Sequence, residues 1–183
     1  VFLSSPDFLI ILEITMERIA SFGGIEDNIA IMLSSWEELE RFLGELYERA
    51  SNIAYSHRIL LKYIADTCYR HAEYIARLYY EYEALEKTFT PGELRRISEE
   101  SRRMIQGLER KYMKARTSLD LREILSAIED IEDAEGIMFE VQNILEGAVD
   151  LNSSWPIARL LRVIYEECRI RRNIVREIKT GLG

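Results

Sequence analysis

Apolar residues recur along this chain at three-and-four spacing, and four stretches carry the pattern without a break. Trp36, Leu39, Leu43, Leu46 and Ala50 make one stripe, and Leu61, Ile64, Ala65, Cys68, His71, Ala72, Ile75, Leu78 and Tyr82 a second. Ile124, Ile128, Ile131, Met138 and Leu145 make the third, and Ile157, Leu161, Ile164, Cys168, Arg171, Val175 and Ile178 the fourth. Such spacing gathers each set on one side of an α-helix and turns that side to a core. Strand signals are nearly absent, so the chain reads as all-α.

Local start and stop signals set the expected elements. Pro6 opens an apolar helix to about Ser21, Gly23-Gly24 ends it, and a short segment covers about Ile25 to Leu33. Ser35 with Glu38 has the form of a capping box, starting a helix from Trp36 to about Asn52. The stripe changes phase near Tyr55-Ser56, and a long helix is expected from about His57 to Lys87. Thr90-Pro91-Gly92-Glu93 opens a very polar helix to about Ala115, read as a solvated crossover. Thr117 to Asp120 starts the next helix, which ends near Ala148. Asn152 to Pro156 is a turn, and the last helix runs from Pro156 to about Lys179. The chain is thus expected to be one domain over residues 1–183. An extension (1–34), a first hairpin (35–88), a crossover (89–116) and a second hairpin (117–180) compose it.

The two hairpins repeat one another. Leu60-Leu61-Lys62-Tyr63-Ile64 through Cys68 and His71 returns 100 positions later as Leu160-Leu161-Arg162-Val163-Ile164 through Cys168 and Arg171. Glu40-x6-Tyr47-Glu48 is matched by Glu132-x6-Phe139-Glu140 at an offset of 92. The longer turn of the second hairpin absorbs the difference, so both offsets belong to one duplication. It sets Cys68 against Cys168 and His71 against Arg171 at equivalent places. Glu40, Glu132 and Glu135 lie on the apolar stripes rather than opposite them, either as core carboxylates or solvated at the stripe's rim.

Composition narrows the functional classes. A net charge of −8 argues against nucleic acid or an anionic membrane surface as partner, since phosphate needs a basic patch. Phe8 to Met16 is interrupted by Glu13 and too short to span a bilayer, and no basic leader precedes it, so a cytoplasmic protein is expected. Two Gln (Gln106, Gln142) amid abundant Ile, Glu, Arg and Tyr lean toward a thermophile. No phosphate loop, serine elbow or zinc-type cysteine pairing is present, and no small-molecule substrate is identifiable. The opening helix, Phe8 to Ile19, either caps the bundle or forms a homodimer contact. Asp66, Glu166 and Glu167 are expected to point outward, and the tyrosines from Tyr74 to Tyr82 to serve packing.

Short turns within each hairpin and a long link between them give a four-helix bundle with one crossover, the ferritin-like connection. In its motifs the chain resembles the ferritin-like superfamily, especially small rubrerythrin-like proteins. These carry a Glu-x6-Tyr helix followed by an Ile-Ala-x-x-Glu-x-x-His helix, twice. Glu40, Tyr47, Ile64-Ala65 and His71 match the first pair, and Glu132, Phe139 and Ile164 match the second more loosely. The resemblance covers about half the chain and implies two iron or manganese ions held by glutamates and histidines. Cys68 and Cys168 stand where it places bridging glutamates, and Arg171 where it places the second histidine.

Those departures define what is expected at the centre. Arginine does not ligate metal, so Arg171 would pair with Glu40 and Glu132 instead; a reduced metal site would have Glu40, His71 and Glu132 as ligands. The bridging positions approach closely in such a bundle. A Cys68–Cys168 disulfide would there close a loop of ~100 residues and stabilise the fold by about 4.7 kcal/mol; two buried thiols are the alternative. Three functions follow. The favoured one is a non-catalytic structural or interaction module without cofactor, working as a homodimer. The others are an iron or manganese oxidoreductase or storage protein, and a thiol–disulfide redox protein using Cys68 and Cys168.

Overall fold

The structure, a computed structural model, describes residues 25–78, 91–134 and 156–182. Helix α1 spans Ile25–Ile53, and a 3₁₀ turn over Tyr55–His57 leads into α2, Arg58–Leu78. Helix α3 spans Pro91–Thr117, α4 runs through residues 121–134, and α5 spans Pro156–Gly181. Among the described residues there is no strand, and no helix is long and apolar enough to cross a membrane. The opening helix, the end of the second helix beyond Leu78, and Met138, Phe139 and Leu145 lie outside the described residues.

In the first three stripes every described member is buried, and in the fourth Ile164, Cys168, Arg171, Val175 and Ile178 are buried. Leu39, Leu43, Leu46 and Ala50 on α1 meet Leu61, Ala65, Cys68 and Ile75 on α2, with Ile124, Ile128 and Ile131 on α4 and Ile164, Val175 and Ile178 on α5 in the same core. At Gly44 the absent side chain makes room for the Tyr69 ring of α2. A Cβ there would stand 2.7 Å from the Tyr69 ring, closer than carbon atoms tolerate.

Two sequence expectations are corrected here. Residues 25–53 form one helix, not two, and Ser35 caps nothing: its hydroxyl donates to the Ile31 carbonyl at 2.7 Å, the back-bond a serine makes inside a helix. Met32, Leu33 and Trp36 are all buried, so the apolar side continues through the expected break and outweighs the cap signal. Nor is α3 a solvated crossover. Ile97, Leu108, Tyr112 and Ala115 are buried along one side, and Tyr112 stacks on Phe42 of α1 with ring centres 4.0 Å apart.

The start of α4 follows its sequence signal. Asp120 accepts from the Arg122 amide at 2.9 Å, and Ser118 accepts from the Asp120 amide at 3.0 Å, satisfying donors that a first turn leaves open. Arg122 also bonds the Leu182 carbonyl, fastening the end of α5 to the start of α4.

Candidate functional site

Four helices deliver ionisable groups to one buried point. Arg171 of α5 sits at the centre with a side chain 4% exposed, and Glu40 of α1 and Glu132 of α4 flank it fully buried. Its Nη1 lies 3.0 Å from Glu40 Oε2, and its Nε lies 3.0 Å from Glu132 Oε1. His71 of α2 closes the group, with Nδ1 2.8 Å from Glu40 Oε1. The duplication thus brings His71 and Arg171 together, with Arg171 Nη1 3.2 Å from His71 Nδ1. Burial settles the alternatives for the two glutamates: they are core groups, not rim groups.

The two carboxylates are not equivalent. Burial works against charge on Glu40, but the Arg171 guanidinium and the His71 ring outweigh it and hold the carboxyl below its usual range. For Glu132 burial prevails over Arg171 and Tyr47, and its carboxyl is pushed up. Hydrogen bonding explains the difference. Tyr47 donates to Glu132 Oε1 at 2.7 Å and Arg171 Nε donates to the same oxygen, while the buried Oε2 has no partner among the described residues. Glu132 thus takes both bonds on one oxygen, whereas both oxygens of Glu40 accept from Arg171. Burial, with Glu132 beside it, holds the Tyr47 hydroxyl well above its usual range.

Glu167 is the site residue that sequence reasoning misplaced. It was expected to face solvent, yet its Oε2 lies 2.6 Å from His71 Nε2 with the side chain 43% exposed. A carboxylate only accepts, so His71 Nε2–H donates to Glu167, and Nδ1 faces either Glu40 as donor or Arg171 as acceptor. A continuous polar line therefore runs from the surface at Glu167 through His71, Glu40 and Arg171 to Glu132 and Tyr47. It can hold charge, and the imidazole can pass a proton between Glu167 and Glu40.

Cys68 and Cys168 are both buried and stand as thiols in this structure, the alternative to the disulfide among the two expectations. Arg171 Nη2 donates to Cys168 Sγ at 3.1 Å, so the guanidinium draws the sulfur toward itself. Burial opposes the charge of Arg171. Its interactions with Cys168, Cys68, Glu132 and Glu40 outweigh that and hold the guanidinium well above its usual range.

The iron or manganese that the resemblance implies does not fit this centre. Guanidinium nitrogens stand against both Glu40 oxygens and Glu132 Oε1, where a metal would bond, and arginine has no lone pair to offer. Among the described residues no group of three or more His, Cys, Asp or Glu side chains is arranged to hold a metal ion. The Glu40, His71 and Glu132 set is brought together, but around a protein cation. Glu135 lies outside the described residues.

A groove near the C-terminal end of α1, lined by Glu45, Glu48, Arg49, Asn52, Arg116 and Leu119, carries charge that is already paired. Arg49 donates to the Ser118 carbonyl at 2.6 Å and Arg116 lies 3.4 Å from Glu45. Comparison of the chain with protein-family models, with curated proteins and with solved structures finds no match in any of the three.

Proposed function

We propose that this chain is a ferritin-like four-helix bundle in which a protein cation has taken over the structural task of a two-metal site, leaving a non-catalytic structural or interaction module that works as a homodimer. The observation that carries this reading is the Arg171 guanidinium lodged between Glu40 and Glu132. Metal ions in a carboxylate-lined bundle neutralise buried negative charge and tie helices together; one guanidinium with five donors does both for these two glutamates. The internal repeat and the all-helical architecture support the same reading.

Elemental analysis of protein produced with added iron and manganese tests it. The expected result is metal far below one ion per chain. One or two ions per chain would refute the reading in favour of an oxidoreductase or storage protein.

A second reading, a thiol redox protein, draws on the Arg171 to Cys168 contact, because a guanidinium favours thiolate. Closing the bridge would remove two protons and two electrons from Cys68 and Cys168, passing them to an acceptor such as a hydroperoxide. Thiol titration under denaturing conditions, before and after peroxide, separates the two. Two thiols surviving brief peroxide treatment favour the structural module, and their joint loss favours the redox protein.

A further inference from the structure

We propose that the outer side of α2 is a self-complementary surface that binds a second copy of this chain, with the two α2 helices antiparallel across a two-fold axis beside position 68. The inference rests on the reading of the chain as a homodimeric interaction module, and it supplies the surface.

The outer side of α2 carries more apolar area than a solvated helix face needs. Ile59 is 87% exposed, Tyr63 64% and Tyr74 42%. At 3.6 residues per turn these lie on the side opposite the buried Leu61, Ile64, Cys68 and Ile75. Exposed charges are set among them in the order Lys62, Asp66, Arg70, Glu73, Arg77. Asp66 and Arg70 occupy the middle of the row.

That order names the occupant. When a second α2 is laid antiparallel about position 68, Asp66 meets the second copy's Arg70 and Arg70 meets its Asp66. Lys62 falls against the second copy's Glu73 and Tyr74, and Tyr63 against the same two. Each contact occurs twice, as two-fold symmetry requires. Sliding the pair one turn either way puts like charges on the axis: Arg70 against Arg70 in one direction, Asp66 against Asp66 in the other. Like charges brought together are strongly disfavoured, so the charge row specifies one register. All five charges stay exposed, although Lys62 is already held by Glu48 of α1. Lys62 lies 2.6 Å from Glu48 and 3.6 Å from Asp66, and Arg70 donates sideways to Thr67 at 3.0 Å.

Sedimentation equilibrium of the full chain and three variants tests this. The wild type is expected to be a dimer in the micromolar range. Asp66→Arg and Arg70→Asp, each replacing two attractions by two repulsions, should each raise the dissociation constant roughly tenfold or more. The double reversal Asp66→Arg with Arg70→Asp should restore it to within a few-fold of wild type. Both positions are exposed, and the helical circular dichroism spectra should stay unchanged in all three. The proposal is overturned by a monomeric wild type, by single reversals that leave the dimer intact, or by a double reversal no tighter than the singles. Metal content is independent of these readings, so failure here leaves the arginine-centred account standing or falling on its own test.

Discussion

Arg171 and Arg176 lie within one and a half turns of each other on α5, and each reaches two carboxylates. Arg171 binds Glu40 and Glu132 with its side chain 4% exposed, whereas Arg176 binds Glu129 at 2.9 Å and Asp133 at 3.1 Å with its side chain 48% exposed. The contacts resemble each other in length and chemistry, but water stands beside one set and not the other. An exposed pair gives up hydration it largely keeps by other means. A buried one has nowhere to send its charge if a partner is lost. Bond lengths alone therefore say little about which arginine holds the molecule together.

The widest separation should come from truncating the buried member. Arg171→Ala leaves Glu40 and Glu132 without their cation, and denaturant unfolding should show a loss of about 3–5 kcal/mol. The two glutamates should then differ from one another. Glu40→Gln replaces an ionised group that faces both Arg171 and His71 and should cost about 2–4 kcal/mol. Glu132→Gln replaces a carboxyl that burial pushes up and whose Oε2 has no partner among the described residues, and should change stability by less, no more than about 1 kcal/mol. Equal losses would break the asymmetry drawn from their hydrogen bonds.

A smaller effect should appear as pH dependence. Burial, then Glu109 and Glu37, push the Glu38 carboxyl up to about 7. Its folded form holds a proton that the unfolded chain releases near 4.5, so stability is fully present below that pH and falls as pH rises toward 7. Glu132, also pushed up, contributes with the same sign. Glu40 acts oppositely, since its lowered value stabilises above the unfolded range and that stabilisation is lost in acid. Glu38→Gln should flatten the decline between pH 5 and 7 in urea titrations. An unchanged slope would remove Glu38 from the account. The smallest effect is expected at the surface: Arg176→Ala should leave the unfolding midpoint within error, and any large shift would contradict the contrast with Arg171.

What the sequence made legible follows from how strongly periodicity speaks. The stripes of α1, α2, α4 and α5 could be read from apolar spacing and the facing of His71 and Arg171 from the internal repeat, whereas the pairing of Arg171 with Glu40 and Glu132 was expected only through the family resemblance. Helix ends, capping and surface partners depend on what packs nearby. Ser35 and Glu38 have a capping pattern, yet Met32 and Leu33 are buried just upstream, and only the tertiary core shows that the helix continues. The stripe of α3, Ile97 to Ala115, was hidden by the charges crowding its other sides. Glu167 looked outward because it follows Glu166 on a polar arc; its approach to His71 depends on the spacing between α2 and α5, which no local signal encodes. Tyr47 was visible as part of the Glu-x6-Tyr spacing, but not its bond to Glu132 on another helix.

The central claim is that Arg171 stabilises this protein by neutralising two buried glutamates rather than by filling space. Chemical denaturation of Arg171→Met, alone and combined with Glu40→Gln and Glu132→Gln, tests it directly. The account predicts that the single variant loses several kcal/mol and that the triple variant regains most of it, because the stranded charge is gone. A triple variant as unstable as the single one, or less stable, would contradict it.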